Sequence, residues 1–210
     1  MLRAARTLAG VLALASAAAP LAGCGAVRRR PPAPASRFVA WPAAVPAGRG
    51  PAFRPPARGA AVEQARAIGR LRCTAGAGAG ARTLAHVELF AAGEVVPVPP
   101  GIGIALPLAR AGAYVRGGRC SYSVRTTEPT GLLELRPGAR LTLGDLFAIW
   151  GQPLSRTRLG AFRGHVRAYL GGRPWPRDPR ALPLSAGAVI VLEIGPFVPP
   201  HASYRYPPRR

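Results

Sequence analysis

The chain has 210 residues, all 29 of its basic residues are arginine, and its formal net charge is +21. Only 14 arginines, against seven acidic residues, lie between positions 82 and 197, so the excess charge belongs mainly to the two ends. A basic stripe interleaved with aromatic residues, as base stacking requires, is absent from the sequence, which argues against nucleic-acid binding.

The first 23 residues have the order of an export signal. Arg3 and Arg6 precede an apolar run over positions 8–19, and small residues follow it. The run is shorter than the roughly 20 residues that span a bilayer. The pattern therefore predicts a secretory signal peptide over residues 1–23.

The stretch Leu21-Ala22-Gly23-Cys24 resembles the bacterial lipoprotein signal, in which a peptidase cuts before the cysteine and lipid is attached to it. The resemblance implies that Cys24 carries acyl chains such as palmitate and anchors the protein to a membrane of the cell envelope. The alternative is a plain signal peptide with an incidental cysteine. The residue after Cys24 is Gly25 and not Asp, which resembles lipoproteins that are sent to an outer membrane. If the source has an outer membrane, the protein is expected there, facing the periplasm.

The rest of the chain divides by composition. Residues 24–60 are rich in Pro, Ala, Gly and Arg, which predicts a disordered tether. Residues 61–200 are expected to form one domain, followed by a basic tail over 201–210. In an oxidising envelope Cys73 and Cys120 most simply form a disulfide, and two free thiols are the alternative.

Helical and strand periodicities mark the elements of the domain. Residues 61–72 suit a short amphipathic helix, and a flexible glycine-rich loop follows. Alternation in "HVELFAAGEVVPV" and in "CSYSVRTTEPTGLLELRPG" predicts two hairpins.

A second helix is marked by its ends. Thr142 and Asp145 have the spacing of a capping box, and Gly151 supplies a stop. After a basic loop, "HVRAYLGGRPW" and "AVIVLEIG" indicate further strands. The expected fold class is α+β, mostly β: a β-grasp-like sandwich of two hairpins and C-terminal strands around one short helix, with the first hairpin added in front.

Several motifs resemble an uncharacterised family of bacterial exported or membrane-tethered proteins. Its pattern is a cysteine, a His-x-His-x-His-Leu strand, a "VPxGIGI" turn, a second cysteine leading to His-Thr-His-Asp, and "TLGxFFxxWGxPLS". The corresponding text here, between positions 73 and 195, is "AHVELFAAG", "VPPGIGI", "CSYSVRTTEPTG" and "LTLGDLFAIWGQPLS". The family's histidines suit zinc, copper or nickel.

Most of those histidines are replaced here. His86 remains, while the other strand positions hold Arg82 and Leu84, and the second group reads Arg125, Thr127 and Glu128. Since arginines repel a cation, no cofactor is expected beyond the covalent lipid. A residual metal site would use His86, with Glu88 on the same strand face and Glu128 or Glu134; the other interpretation is a hydrogen-bonded histidine.

The search for catalytic residues gives none. His86, His165 and His201 are the only histidines, and no nucleophile or metalloprotease motif accompanies them. The leading hypothesis is a lipid-anchored, non-enzymatic binding or structural module of the envelope. The alternatives are a copper- or zinc-handling module with a degenerate site, and an enzyme whose unrecognised pocket gathers Glu88, Glu128 or His165.

Arginines of the domain suggest one kind of partner. Arg156, Arg158, Arg163 and Arg167 could contact phosphate or carboxylate groups of an anionic envelope polymer or of another envelope protein. The alternative is that these charges only keep the surface soluble.

Overall fold

The computed structural model describes residues 60–76 and 80–207. The predicted signal peptide, Cys24 and the tether up to residue 59 lie outside the described residues, as do residues 77–79 and 208–210.

The described chain contains fourteen strands, two α-helices and one 3-10 helix. The helices are α1 (Ala60–Glu63), α2 (Leu143–Trp150) and a 3-10 helix (Pro179–Ala181). The strands are β1 (Thr83–Ala91), β2 (Glu94–Val95), β3 (Ala109–Ala111), β4 (Tyr114–Gly117), β5 (Val124–Arg125), β6 (Leu132–Leu135), β7 (Leu141–Thr142), β8 (Leu154–Ser155), β9 (Arg158–Leu159), β10 (Phe162–Arg163), β11 (Val166–Leu170), β12 (Arg173–Pro174), β13 (Pro183–Leu184) and β14 (Val189–Ile194).

A mixed sheet of seven strands forms the centre of the domain. Its order is β12-β11-β14-β1-β6-β5, and β2 pairs with the end of β1. The two central strands, β1 and β14, run parallel, whereas β11 and β6 flank them antiparallel. The β-branched run of β14 is buried along its whole length, as a central strand requires.

Helix α2 packs on one face of this sheet. Thr142 is its N-cap and forms the reciprocal capping box with Asp145, and Gly151 ends the helix in the left-handed conformation at φ 72°. The helix buries five apolar side chains in the core: Leu143, Leu146, Phe147, Ile149 and Trp150. Burying a side chain of this size contributes about 1.5–3 kcal/mol.

The α+β, mostly β class is confirmed, and both hairpins are present. Ala92 and Gly93 both have positive φ, as a two-residue hairpin turn between β1 and β2 needs. Val124 pairs with Leu135 in the second hairpin. The first hairpin was expected as an addition in front of the sheet, and this placement is wrong. Its strand β1, with its long apolar alternation, lies at the centre of the sheet and pairs with β14 on one side and β6 on the other.

A disulfide joins Cys73 to Cys120, as predicted. Backbone bonds between Thr74 and Ser121 in both directions continue the link. On the chain-entropy model, closing a loop of this length contributes roughly 4 kcal/mol.

The helix predicted over 61–72 is wrong beyond its first turn. Helix α1 ends at Glu63, and Ala65 and Gly69 adopt positive φ values of 58° and 53°. An isolated helix over residues 61–72 would be only marginally stable in water. Tertiary bonds determine the path instead, since the Tyr122 hydroxyl donates to the Arg66 carbonyl and Arg70 donates to the Asp145 carboxylate at 2.6 Å.

Two further differences concern short strands. The stretch expected as a basic loop after α2 is a small antiparallel sheet of β8, β9 and β10. The segment after "GIGI" contains the β3–β4 hairpin. Strands of two to four residues carry too little periodicity to be recognised in the sequence.

Candidate functional site: a polar sheet face under the C-terminal segment

The central sheet has one apolar face and one polar face. Alternate residues of β1, including Ala85, Val87 and Leu89, join the core beneath α2. We call the opposite side the polar face; it carries His86, Glu88 and Phe90 on β1, Val191 and Glu193 on β14, and Arg167 and Tyr169 on β11. The C-terminal segment, residues 196–207, covers the polar face without forming a strand.

His86 is fully buried at the centre of this face. Its Nε2 lies 2.9 Å from the Thr130 carbonyl oxygen, which can only accept, so Nε2 carries the proton. Nδ1 therefore presents a lone pair; it lies 3.5 Å from Glu88 Oε1 and has no hydrogen-bond partner among the described residues. Burial lowers the pKa of His86, so the neutral ring is favoured.

Glu88 joins the strand to the C-terminal segment. Its side chain is 6% exposed, and its Oε2 accepts a hydrogen bond from His201 Nδ1 at 2.7 Å. Tyr204 stacks on the His86 ring with 3.7 Å between ring centroids and an interplanar angle of 13°. The segment thus contacts the neighbouring residues His86 and Glu88 with two different side chains.

Glu128 reaches the same place indirectly. Its Oε1 accepts a bond of 2.7 Å from the Thr130 hydroxyl, and the Thr130 carbonyl accepts the bond from His86 Nε2. Burial raises the pKa of the Tyr204 hydroxyl. Glu128 is therefore linked to the His86 ring through Thr130.

Glu193 forms the second polar centre of the face. It is fully buried and accepts bonds from Arg167 Nε at 2.6 Å, the Tyr169 hydroxyl at 2.8 Å and the Val198 amide at 2.7 Å. Burial acts to raise the pKa of Glu193, but these donors, Arg167 first among them, outweigh burial and hold the pKa below its usual value.

The family that the sequence resembles has its second histidine group where this chain has Arg125, Thr127 and Glu128. Of these three residues, Arg125 forms an ion pair with Glu134. Arg125 contacts Glu134 Oε2 through both Nε, at 2.8 Å, and a terminal nitrogen, at 2.7 Å. Thr127 donates to the other oxygen of Glu134 at 2.8 Å. Both oxygens of Glu134 thus accept from Arg125 and Thr127, so this carboxylate is engaged by them and not by His86.

The residues expected at a residual metal site are only partly assembled. His86 and Glu88 are adjacent, and Glu128 is linked through Thr130. Within residues 60–76 and 80–207, no three His, Cys, Asp or Glu side chains are grouped as a metal site requires. His201, which sequence reasoning placed in the basic tail, is the additional polar contact; 113 residues separate it from Glu88, and no local pattern marks that pairing.

The four arginines proposed to contact anions separate into two groups. Arg158 pairs with Arg163 across β9 and β10, and Arg156 lies in the turn between β8 and β9. Arg156 and Arg163 are exposed. Arg167 lies elsewhere: its guanidinium contacts Glu193 and donates to the Gly195 carbonyl at 2.6 Å.

Within the described part of the chain, the residues expected in an enzyme pocket do not line the groove found on the domain surface. His165 is exposed just before β11. A groove of about 780 Å³, open to solvent, is lined by Glu63, Leu106, Pro107, Leu108, Arg110 and Arg119, and contains none of His165, Glu88 and Glu128.

Comparison of the chain with protein-family models, with curated proteins and with solved structures gave no match. Across the described part of the chain, the helices are too short and insufficiently apolar to cross a membrane.

Proposed function

We propose that the protein is a lipid-anchored, non-enzymatic protein of the cell envelope whose domain binds an anionic partner. Cys24 supplies the anchor, because its sequence context matches the lipoprotein signal. The proline- and arginine-rich stretch that follows spaces the domain from the lipid surface. The partner is an envelope polymer or protein that exposes phosphate or carboxylate groups.

The distribution of charge within the domain carries the proposal. The described residues include 18 arginines and all eight acidic residues. Five of those carboxylates are already paired inside the domain: Glu88 with His201, Glu134 with Arg125, Glu193 with Arg167, Asp145 with Arg70, and Asp178 with Arg180. The acidic side chains therefore stabilise the fold, whereas a surplus of arginine faces outward.

The β8–β10 sheet offers the clearest arginine cluster. Arg156 and Arg163 are exposed there, and Arg158 lies beside Arg163 in the register. Guanidinium groups bind phosphate and carboxylate through paired, charge-assisted hydrogen bonds. We leave Arg167 out of this surface, because its guanidinium already pairs with Glu193. Replacing Arg167 would leave the buried carboxylate of Glu193 without its charge partner.

The anchor is tested by changing Cys24 in the full chain expressed in a diderm bacterium. Wild-type protein is expected to incorporate labelled palmitate and to sediment with membranes, whereas Cys24→Ala loses both. Gly25→Asp is the matched variant, since it keeps the lipid and is expected to move the protein from the outer to the inner membrane fraction. Labelling that persists in Cys24→Ala would contradict the proposal.

The anionic partner is tested by co-sedimentation with isolated envelope fractions, using unlipidated Cys24→Ala protein so that only the domain and tether bind. Replacing Arg156, Arg158 and Arg163 by Gln is expected to weaken binding. A control triple variant of Arg110, Arg116 and Arg119 removes the same charge from a different part of the domain. Equal losses in the two triple variants would mean that binding follows net charge and not this surface.

Metal handling is the second candidate function. The observation in its favour is the buried, unpartnered Nδ1 lone pair of His86, which faces Glu88 close to His201. Calorimetric titration of the oxidised full chain with Cu(II) and Zn(II) tests it. Stoichiometric binding lost in His86→Ala, but kept in the exposed control His165→Ala, would favour this function, and the absence of binding heat would reject it.

A further inference from the structure

The C-terminal segment supplies part of the hydrogen bonding of the polar face. Four acceptor or stacking positions are filled by the segment. Glu193 Oε2 accepts from the Val198 amide at 2.7 Å, Glu88 Oε2 from His201 at 2.7 Å, and the Ala188 carbonyl from the Tyr206 hydroxyl at 2.9 Å. The fourth position is the His86 ring, on which Tyr204 stacks.

These positions cannot be left bare without cost. Glu88 and Glu193 are almost wholly buried, and a buried acceptor that loses its donor loses far more than an exposed one does. Tyr206 is itself half-buried by the contact, and burial raises the pKa of its hydroxyl to about 12. Without the segment, Glu193 would keep its bonds from Arg167 and Tyr169, and the Ala188 carbonyl would keep its bond from the His86 amide. The face therefore favours an occupant with a donor at Glu88 and an aromatic ring at His86.

The present occupant is held by individual side-chain and backbone contacts and not by a strand ladder. The C-terminal segment forms no strand and contacts the sheet through side chains and single backbone groups. It leaves the sheet at Gly195, whose φ of 102° marks a sharp change of direction. Segments held outside a ladder belong to the part of a protein that opens most easily.

The chemistry of the face also contrasts with the rest of the molecule. Four of the eight carboxylates in this strongly basic chain lie on or beside the polar face: Glu88, Glu128, Glu134 and Glu193. Arg125 and Arg167 on the same face pair with Glu134 and Glu193, so the unneutralised carboxylates there are Glu88 and Glu128. The segment that covers them bears His201, Tyr204 and Tyr206 and continues with arginines, so a basic, aromatic segment faces these two carboxylates.

We propose that the polar face is a peptide-binding site that the C-terminal segment occupies in cis, and that an extended, aromatic and basic segment of a partner protein displaces it. Such a partner segment places a backbone N–H at Glu193, an N–H donor at Glu88, a flat ring on His86 and a hydroxyl donor at the Ala188 carbonyl. While the chain's own segment is bound, it competes at a high effective concentration and keeps the site closed.

The test uses a labelled peptide of residues 196–210 as the probe and fluorescence anisotropy as the readout. The full chain with His201→Ser and Tyr204→Ser is expected to bind this peptide at least about tenfold more tightly than the wild-type chain does, because its own segment competes less well. Tyr114→Ser, which removes an exposed tyrosine from the β3–β4 hairpin, is the matched control and is expected to behave as wild type.

Three further arms make the result decisive. Adding Glu88→Gln to the double variant is expected to reduce binding, since a neutral amide oxygen, a weaker acceptor, replaces the charged carboxylate. A second peptide has serine in place of the histidine and both tyrosines but keeps the arginines. If it binds as tightly as the first peptide, binding is due to charge attraction alone and the proposal is overturned. Should the double variant fail to fold by circular dichroism, Tyr206→Phe, which loses a single hydroxyl, is expected to give a smaller gain in the same direction. A folded variant that binds no better than wild type would overturn the proposal.

Discussion

His201 donates from Nδ1 to Glu88 Oε2 at 2.7 Å, although 113 residues separate the two along the chain. Glu88 lies in the central strand, and His201 lies in a segment with no regular structure. This bond connects the strand that organises the sheet to the last described stretch of the chain. The local stability of the C-terminal segment should therefore depend on a buried carboxylate.

Replacing His201 by Ala should destabilise the protein. The change leaves the Glu88 carboxylate buried with one donor fewer, and an unsatisfied buried acceptor costs about 1–3 kcal/mol. Urea unfolding at pH 7.5 measures the loss. His165→Ala is the matched control, since His165 is exposed, and its effect should stay within about 0.5 kcal/mol. Equal effects of the two substitutions would show that the His201–Glu88 bond contributes nothing.

Mild acid should weaken the fold through His86. Its pKa is lowered by burial, so below the ordinary value of 6.5 the unfolded chain binds a proton that the folded chain resists. Stability is therefore complete above pH 6.5 and falls as the pH drops from 6.5 through the folded pKa. Glu88, Glu128, His201 and Tyr204 face the ring, and the pKa of Glu193, lowered from 4.5, acts only at lower pH.

The measurement is the melting temperature at pH 7.5 and at pH 5.5. Wild type should melt at a lower temperature at pH 5.5, and His86→Gln should show a smaller difference because it cannot take up the proton. Gln keeps an N–H donor for the Thr130 carbonyl. A pH dependence that is unchanged in His86→Gln would assign the effect to another group.

The sequence correctly predicted the elements that are stabilised by residues close to one another in the chain. Thr142 and Asp145 are three residues apart and cap the helix through their own backbone groups, so their spacing is sufficient evidence. The turn at Ala92 and Gly93 is likewise determined by the residues that form it. The helix expected over 61–72 failed because the bonds that override it come from Tyr122 and Asp145, far along the chain.

The candidate site was predicted only to the extent that it lies on one strand. The alternation of β1 places His86 and Glu88 on the same face, and this the sequence can show. The contacts of His201 and Tyr204 depend on how the C-terminal segment returns over the sheet. Those contacts are set by packing across more than 100 residues, for which the sequence carries no periodic signal.

The disulfide should contribute a large part of the stability. Replacing Cys73 and Cys120 together by Ala should lower the free energy of unfolding by about 2–4 kcal/mol, because the unfolded chain regains the entropy of an open loop. Chemical denaturation with and without a reductant measures it. Reductant should shift wild type to the midpoint of the double variant and leave the double variant unchanged; a shift in both would point to another effect of the reductant.

The Arg167–Glu193 pair should stabilise the fold, because its carboxylate is fully buried although the Arg167 side chain is 32% exposed. Arg167→Ala removes the charge partner of that carboxylate but leaves the Tyr169 and Val198 donors, so the expected loss is about 1–3 kcal/mol. Arg163→Ala is the control, because Arg163 is exposed on β10. Equal unfolding free energies in the two variants would mean that the Tyr169 and Val198 donors suffice for Glu193.

Gly131 should be far less tolerant of a side chain than Gly138. Both have nearly the same positive φ, 78° and 75°, so the intrinsic backbone penalty of about 1–2 kcal/mol for Ala is common to both. A Cβ at Gly131 would lie 2.1 Å from the Val87 carbonyl oxygen, whereas one at Gly138 meets nothing within 4 Å. Since Val87 lies between His86 and Glu88, Gly131→Ala must also disturb the strand at the polar face. Thermal melting should show a much larger loss for Gly131→Ala, and equal losses would mean that the close approach to β1 does not exist in solution.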